Sequence, residues 1–126
     1  MLQTLHIQNF ALIEDLHISF AEGVTIFTGE TGAGKSILLD AIGMLAGKRA
    51  SAEFVRQGAN AFLVEGAFFF DEDPELVRLL MDNHIECDDS QLVISRQFQC
   101  NGRGTILING TLVPTAVARQ IELRLL

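Results

Sequence analysis

The run Gly29-Glu30-Thr31-Gly32-Ala33-Gly34-Lys35-Ser36 decides how the rest of this 126-residue chain is read. Its spacing is G-x-x-x-x-G-K-[ST], the pattern of a phosphate-binding loop. Backbone N–H groups must converge on an oligophosphate there, and glycines let the backbone approach with no Cβ in the way. Lys35 is then expected to set a positive charge against the β- and γ-phosphates, and the Ser36 hydroxyl to be a ligand of the bridging Mg²⁺. A helix has to open at the loop, so that its unpaired N–H groups and positive dipole end face the anion.

The flanks agree with that reading. Val24-Thr25-Ile26-Phe27-Thr28 is a short β-branched, apolar run, as a buried strand requires. On the other side Ile37, Leu38, Ala41, Ile42 and Leu45 recur at helical spacing, and Gly47 is a natural stop. Strand, loop and helix in that order point to nucleotide binding.

Composition bounds what the remainder can be. The length suits one domain, and 48% hydrophobic residues can supply its core. No run of about 18 or more apolar residues occurs, so no membrane span is expected. No basic segment leads into an apolar stretch at the start, so no secretory signal is expected either. Cys87 and Cys100 lack metal-ligand spacing and read as two unpaired thiols of a cytoplasmic protein. The net charge of −7 argues against a simple DNA-coating module. The charge is uneven, however: residues 61–94 carry −8, residues 48–60 carry +2 and residues 95–126 carry +3. Any polyanion contact is therefore expected near Lys48, Arg49 and Arg56, or near Arg96 and Arg103. Residue by residue, ordinary solvated arginines are the commoner case.

In chain order, residues 2–8 and 11–20 read as two strands with a tight turn near Asn9-Phe10, and Leu12, Leu16, Ile18 and Phe20 face one way. Residues 47–60 read as a loop with a short helical turn. Residues 61–70 read as a strand, and the following Asp71-Glu72 imitate the acids of a Walker B strand. Two observations weigh against that role. Glu65 and Gly66 interrupt the run, as in a strand wet on one face. Asp73-Pro74 is a good helix start, with Asp73 as N-cap and Pro74 at the first helical position. A short amphipathic helix is expected over 74–83, followed by an acidic connection in which His84 is a solvated loop residue. Residues 91–99 and 105–108 read as a hairpin with Arg103 at its tip. Asn109-Gly110 reads as a second, two-residue turn rather than a glycosylation site. A last helix runs from Pro114 through Val117, Ile121 and Leu125 and is unfinished at Leu126.

The helix after the loop carries a more specific signal than the loop. Gly34-Lys35-Ser36-Ile37-Leu38-Leu39-Asp40-Ala41-Ile42 resembles the corresponding run of the SMC-like branch of the ABC ATPases, which serve chromosome maintenance and DNA repair. The resemblance extends to Leu5–Leu16, Thr28–Ala41 and Lys48-Arg49-Ala50-Ser51. It also takes in Ile94-Ser95-Arg96-Gln97, Asn101-Gly102-Arg103 and Ile108-Asn109-Gly110, and it is strongest for the bacterial double-strand-break repair members of that branch.

The resemblance implies an α/β fold: the N-terminal lobe of an ABC/SMC-like ATPase head, a P-loop strand and helix flanked by antiparallel strands. It implies that residues 1–126 are the first part of a longer protein. The glutamine loop, coiled coil, signature motif, Walker B acids and switch histidine would lie elsewhere in that protein. It also implies ATP and Mg²⁺ held by Gly29, Glu30, Thr31, Gly32, Ala33, Gly34, Lys35 and Ser36. Lys35 steadies the transferring phosphoryl, Ser36 is a metal ligand, and the water-orienting acid is absent from this chain. The implied partners are DNA, the C-terminal lobe of the same head and a second head in a homodimer. The implied setting is the bacterial cytoplasm, nucleoid-associated, in recombination and the SOS response to DNA damage. Arg49, Arg56 and Arg103 are candidates for DNA or nucleotide contacts. A chain lacking the rest of its head is expected to leave apolar surface bare and to self-associate or be marginal. Two other readings remain: a stand-alone P-loop kinase or GTPase, which lacks an Asn-Lys-x-Asp run and a convincing second acid here, and a non-catalytic interaction fragment.

Overall fold

The computed structural model describes the backbone of residues 1–20 and 32–125, and side chains over 1–20 and 36–125. The strand expected at 24–28 and the first three loop residues, Gly29, Glu30 and Thr31, lie outside the described residues.

Among the described residues, six strands form one antiparallel sheet: β1 (Leu2–Phe10), β2 (Ile13–Ser19), β3 (Ala61–Phe69), β4 (Gln91–Gln99), β5 (Gly104–Ile108) and β6 (Thr111–Leu112). Their order is β2-β1-β3-β4-β5-β6. Three α-helices accompany them among the described residues: α1 (Gly32–Leu45), α2 (Pro74–Asp82) and α3 (Thr115–Leu125). α1 lies against β3 and β4, and α3 against β5 and α2. None of the described helices is long and apolar enough to cross a membrane.

Strand alternation builds the core. Leu5 and Ile7 of β1, Phe62, Val64 and Phe68 of β3, Leu92 and Ile94 of β4, and Ile106 and Ile108 of β5 are all buried. They form one cluster with Leu38, Ala41, Met44 and Leu45 of α1, Leu76 and Leu80 of α2, and Ala118, Ile121 and Leu125 of α3. Gly66 is buried in the same row of β3, where a Cβ would come within 2.6 Å of Leu45 Cδ1. The missing side chain therefore sets how closely α1 approaches the sheet. On the opposite face a polar row runs across the strands from His17 through His6 and Glu65 to Ser95.

The first turn differs from expectation. β1 continues through Phe10, and the reversal falls at Ala11-Leu12. Phe10 is the reason: it is fully buried, stacked on Phe54 at 5.0 Å and edge-on to Phe62 at 5.0 Å. Leu12, expected to share a face with Leu16, Ile18 and Phe20, is 82% exposed in the turn.

Other local signals act as read. Asp73 accepts from the Leu76 N–H at 3.2 Å and caps α2, with Pro74 in the first turn. Arg124 of α3 then clasps Asp73 through two bonds of 2.8 Å, holding its carboxyl below the usual carboxylate range. Asn109 and Gly110 both have positive φ, 49° and 84°, as a two-residue hairpin turn of this kind needs. The Asn109 side chain also accepts from Val93 N–H at 2.8 Å and donates to Glu86 C=O at 2.8 Å. Cys87 and Cys100 are both free.

Candidate functional site

α1 begins at Gly32, inside the glycine-lysine-serine run. Gly32, Ala33, Gly34 and Lys35 thus supply the opening backbone of the helix, and the first N–H groups of any helix have no intrahelical acceptor. No acidic residue occurs in that first turn, so no carboxylate competes with an anion there. Ser36 follows and is exposed. A hydroxyl at that position is a hard oxygen donor of the kind Mg²⁺ takes. The described residues therefore fit a Mg²⁺-bound oligophosphate, while Gly29, Glu30 and Thr31 lie outside them.

The other end of α1 is held firmly. Gly47, at φ 85°, ends the helix in a Schellman arrangement: Lys48 N–H bonds Gly43 C=O at 2.9 Å and Gly47 N–H bonds Met44 C=O at 3.4 Å. Two arginines reinforce it. Arg96 of β4 donates to Met44 C=O at 2.9 Å and also to Lys48 C=O. Arg119 of α3 donates to Gly47 C=O at 2.9 Å. Cations beside the last carbonyls are favoured by the helix dipole. Glu122 completes the cluster, 2% exposed, with Oε2 lacking a hydrogen-bond partner among the described residues. Burial pushes its carboxyl up to about 8, against the opposing pull of Arg96 and Arg119.

This overturns one expectation. Arg96 was placed among the possible polyanion contacts or the ordinary solvated arginines. It is instead 9% exposed and spends its donors on the end of α1. Arg119 and Glu122 were not singled out from sequence at all. Glu122 carries a signal, since Ala118, Ile121, Glu122 and Leu125 are the buried positions of α3, spaced at i, i+3, i+4 and i+7, whereas exposed Arg119 falls outside that stripe.

The remaining basic residues stay at the surface. Lys48 lies 3.7 Å from Asp40, and half-exposed Arg56 lies 3.9 Å from Glu14. Arg49 is exposed and lines an open cleft of about 820 Å³ with Arg96, Arg119, Thr105 and Thr115. Arg103 is exposed on the β4–β5 hairpin, next to Gly104 in the wall of that cleft. Asp71 and Glu72 are exposed between β3 and α2. β3 itself pairs antiparallel with both neighbours, which is not the setting of a Walker B strand. Capping and the dipole of α2 account for this acidic stretch, as expected.

A family model described as "AAA domain" matches residues 4–115. The chain belongs to the AAA domain family. Within it, this AAA domain is 42% identical over 121 residues to the DNA repair protein RecN of Bacillus subtilis, covering 96% of the chain and 21% of that protein. It is 41% identical over 121 residues to the DNA repair protein RecN of Vibrio cholerae, covering 96% of the chain and 22% of that protein. The chain thus spans about a fifth of the length of the curated relatives it matches.

Among solved structures, the AAA domain superposes on an SMC head bound to the C-winged helix domain of ScpA. The TM-score is 0.73 at 23% identity, covering 99% of this chain and 41% of that one. An ATP-analogue complex of the recombination mediator RecF gives a TM-score of 0.69 at 24% identity, covering 94% of this chain and 29% of that one. The fold is the SMC-like head lobe expected from the sequence.

Proposed function

We propose that this chain is the ATP-binding N-terminal head lobe of a DNA repair and recombination protein of the RecN type. The observation that carries the reading is the helix start at Gly32 within the Gly29–Ser36 run, in a chain 42% identical to a protein named for DNA repair. Backbone N–H groups of Gly29 through Gly34 cradle the phosphates of ATP, and Lys35 neutralises charge on the transferring phosphoryl group. The Ser36 hydroxyl would hold Mg²⁺, which would supply positive charge against the phosphates. The water-orienting carboxylate comes from the C-terminal lobe; the antiparallel setting of β3, which leads into Asp71 and Glu72, supports that reading. A second head closes the site in a homodimer. Arg49, Arg56 and Arg103, all at the surface, are the contacts offered to DNA or nucleotide. The protein acts in the bacterial cytoplasm at the nucleoid.

The test is calorimetric titration of the folded chain with Mg·ATP, beside Lys35→Ala and with GTP as competitor. The expected result is binding that prefers ATP and falls at least about tenfold in Lys35→Ala, a loss of roughly 1.4 kcal/mol or more. No turnover above background is expected. Turnover that disappears in Asp71→Asn would return the Walker B role to Asp71 and sink the two-lobe reading. A preference for GTP would favour a stand-alone GTPase.

A further inference from the structure

The polar face of the sheet carries a cluster that nucleotide binding does not use. His6 of β1 and His17 of β2 are direct cross-strand partners. Their rings are stacked, with centroids 3.8 Å apart and planes 15° from parallel. Asp15 lies two positions before His17 and so projects from the same face of β2. His6 Nε2 and His17 Nε2 both approach Asp15 Oδ1, at 2.9 Å and 3.7 Å. All three ligand atoms lie within 4.8 Å of one another. The side chain of His6 is 25% exposed, that of Asp15 53% and that of His17 70%.

We propose that His6, Asp15 and His17 form a binding site for a divalent transition-metal ion of the zinc class. A tetrahedral ion with ligands at about 2.0–2.1 Å separates its donor atoms by roughly 3.3 Å. The two donor separations to Asp15 bracket that value; the third lies within 4.8 Å, and side-chain rotation that parts the stacked rings turns both lone pairs to one ion. Two imidazoles and one carboxylate suit zinc, cobalt, nickel or copper; magnesium and calcium prefer oxygen alone. The scaffold is two paired strands, so the ligand backbones are already ordered. Three ligands leave a fourth position for solvent. Glu65, cross-strand from His6 on β3, adds a negative charge to the same row. The alternative is a hydrogen-bonded His–Asp cluster with no affinity for metal.

The test titrates the chain with zinc and, separately, with cobalt, whose visible spectrum reports ligand type and geometry. Wild type is compared with His17→Gln, Asp15→Asn and the Cys87→Ser/Cys100→Ser double variant, each checked for folding by circular dichroism. The proposal expects one zinc per chain, a tetrahedral cobalt spectrum without a thiolate charge-transfer band, and a melting temperature that rises with zinc. Affinity should fall more than about tenfold in His17→Gln and in Asp15→Asn, and stay unchanged without the cysteines. Absence of zinc binding to the folded wild type overturns the proposal. So does binding that survives both ligand variants or vanishes with the cysteines. His17 is the most exposed ligand and lies on an edge strand, so its variant keeps the test open if another ligand variant fails to fold.

Discussion

Beneath the end of α1, Arg96 and Glu122 are buried together with exposed Arg119 at their edge, and the proton on Glu122 decides the charge of the cluster. In the unfolded chain that carboxyl titrates near the ordinary glutamate value of 4.5; in the fold burial raises it to about 8. Between those values the folded chain holds a proton that the unfolded chain has released. Stability must therefore fall as pH rises through that window and level off above it. Glu122→Gln keeps the shape and removes the titration. The variant is expected to match wild type near about pH 5 and to exceed it by roughly 2 kcal/mol or more near about pH 9. Urea unfolding at the two pH values measures the difference, and parallel stability curves for the two proteins would refute it. Sequence alone hid this cluster because arginine and glutamate are read as surface residues by default. The strand pattern held the clue for Arg96: it shares its parity with Leu92 and Ile94, which point into the core. Nothing comparable marked His6, Asp15 and His17, because their meeting depends on a register that exists only once β1 and β2 pair.

Between elements, the seam of α1 on β3 is governed by Gly66. A Cβ there would lie 2.6 Å from Leu45 Cδ1 and 3.1 Å from both Leu2 Cδ1 and Phe68 Cε1. Relief towards one of these side chains tightens the contact with another, so α1 must lift from the sheet. Gly66→Ala is expected to cost about 1–3 kcal/mol. Thermal or urea unfolding reads this directly, and a variant as stable as wild type would show that the seam has slack. The same glycine illustrates what an element-level reading can deliver. Its interruption of the apolar run correctly separated β3 from a Walker B strand, and Asp73-Pro74 correctly located α2. Gly47 and Asn109-Gly110 marked their turns for the same reason: each is a backbone requirement met by one or two residues. The β1–β2 reversal was misplaced because it is set by Phe10 docking on Phe54 and Phe62, residues 44 and 52 positions away.

Over the whole molecule, the sheet order matters more than any one strand. β3 to β6 follow one another in both sequence and space, and β1 and β2 are joined by two residues. The bond between these two groups is β1 with β3, and it closes a loop made of residues 11–60. That loop contains the glycine-lysine-serine run and all of α1. Closing a loop of this length costs on the order of 3 kcal/mol in chain entropy, before any contact is gained. The joining step should accordingly be the slow one in time. In pulse-labelled hydrogen exchange during refolding, amides shared by β4 and β5 are expected to gain protection first. Amides shared by β1 and β3 should follow later, and the reverse order would contradict this schedule. A newly made chain then spends its earliest moments with a formed meander and no seat for its phosphate loop. Under the proposed function, the competence to hold a nucleotide arrives last, in the same event that completes the domain.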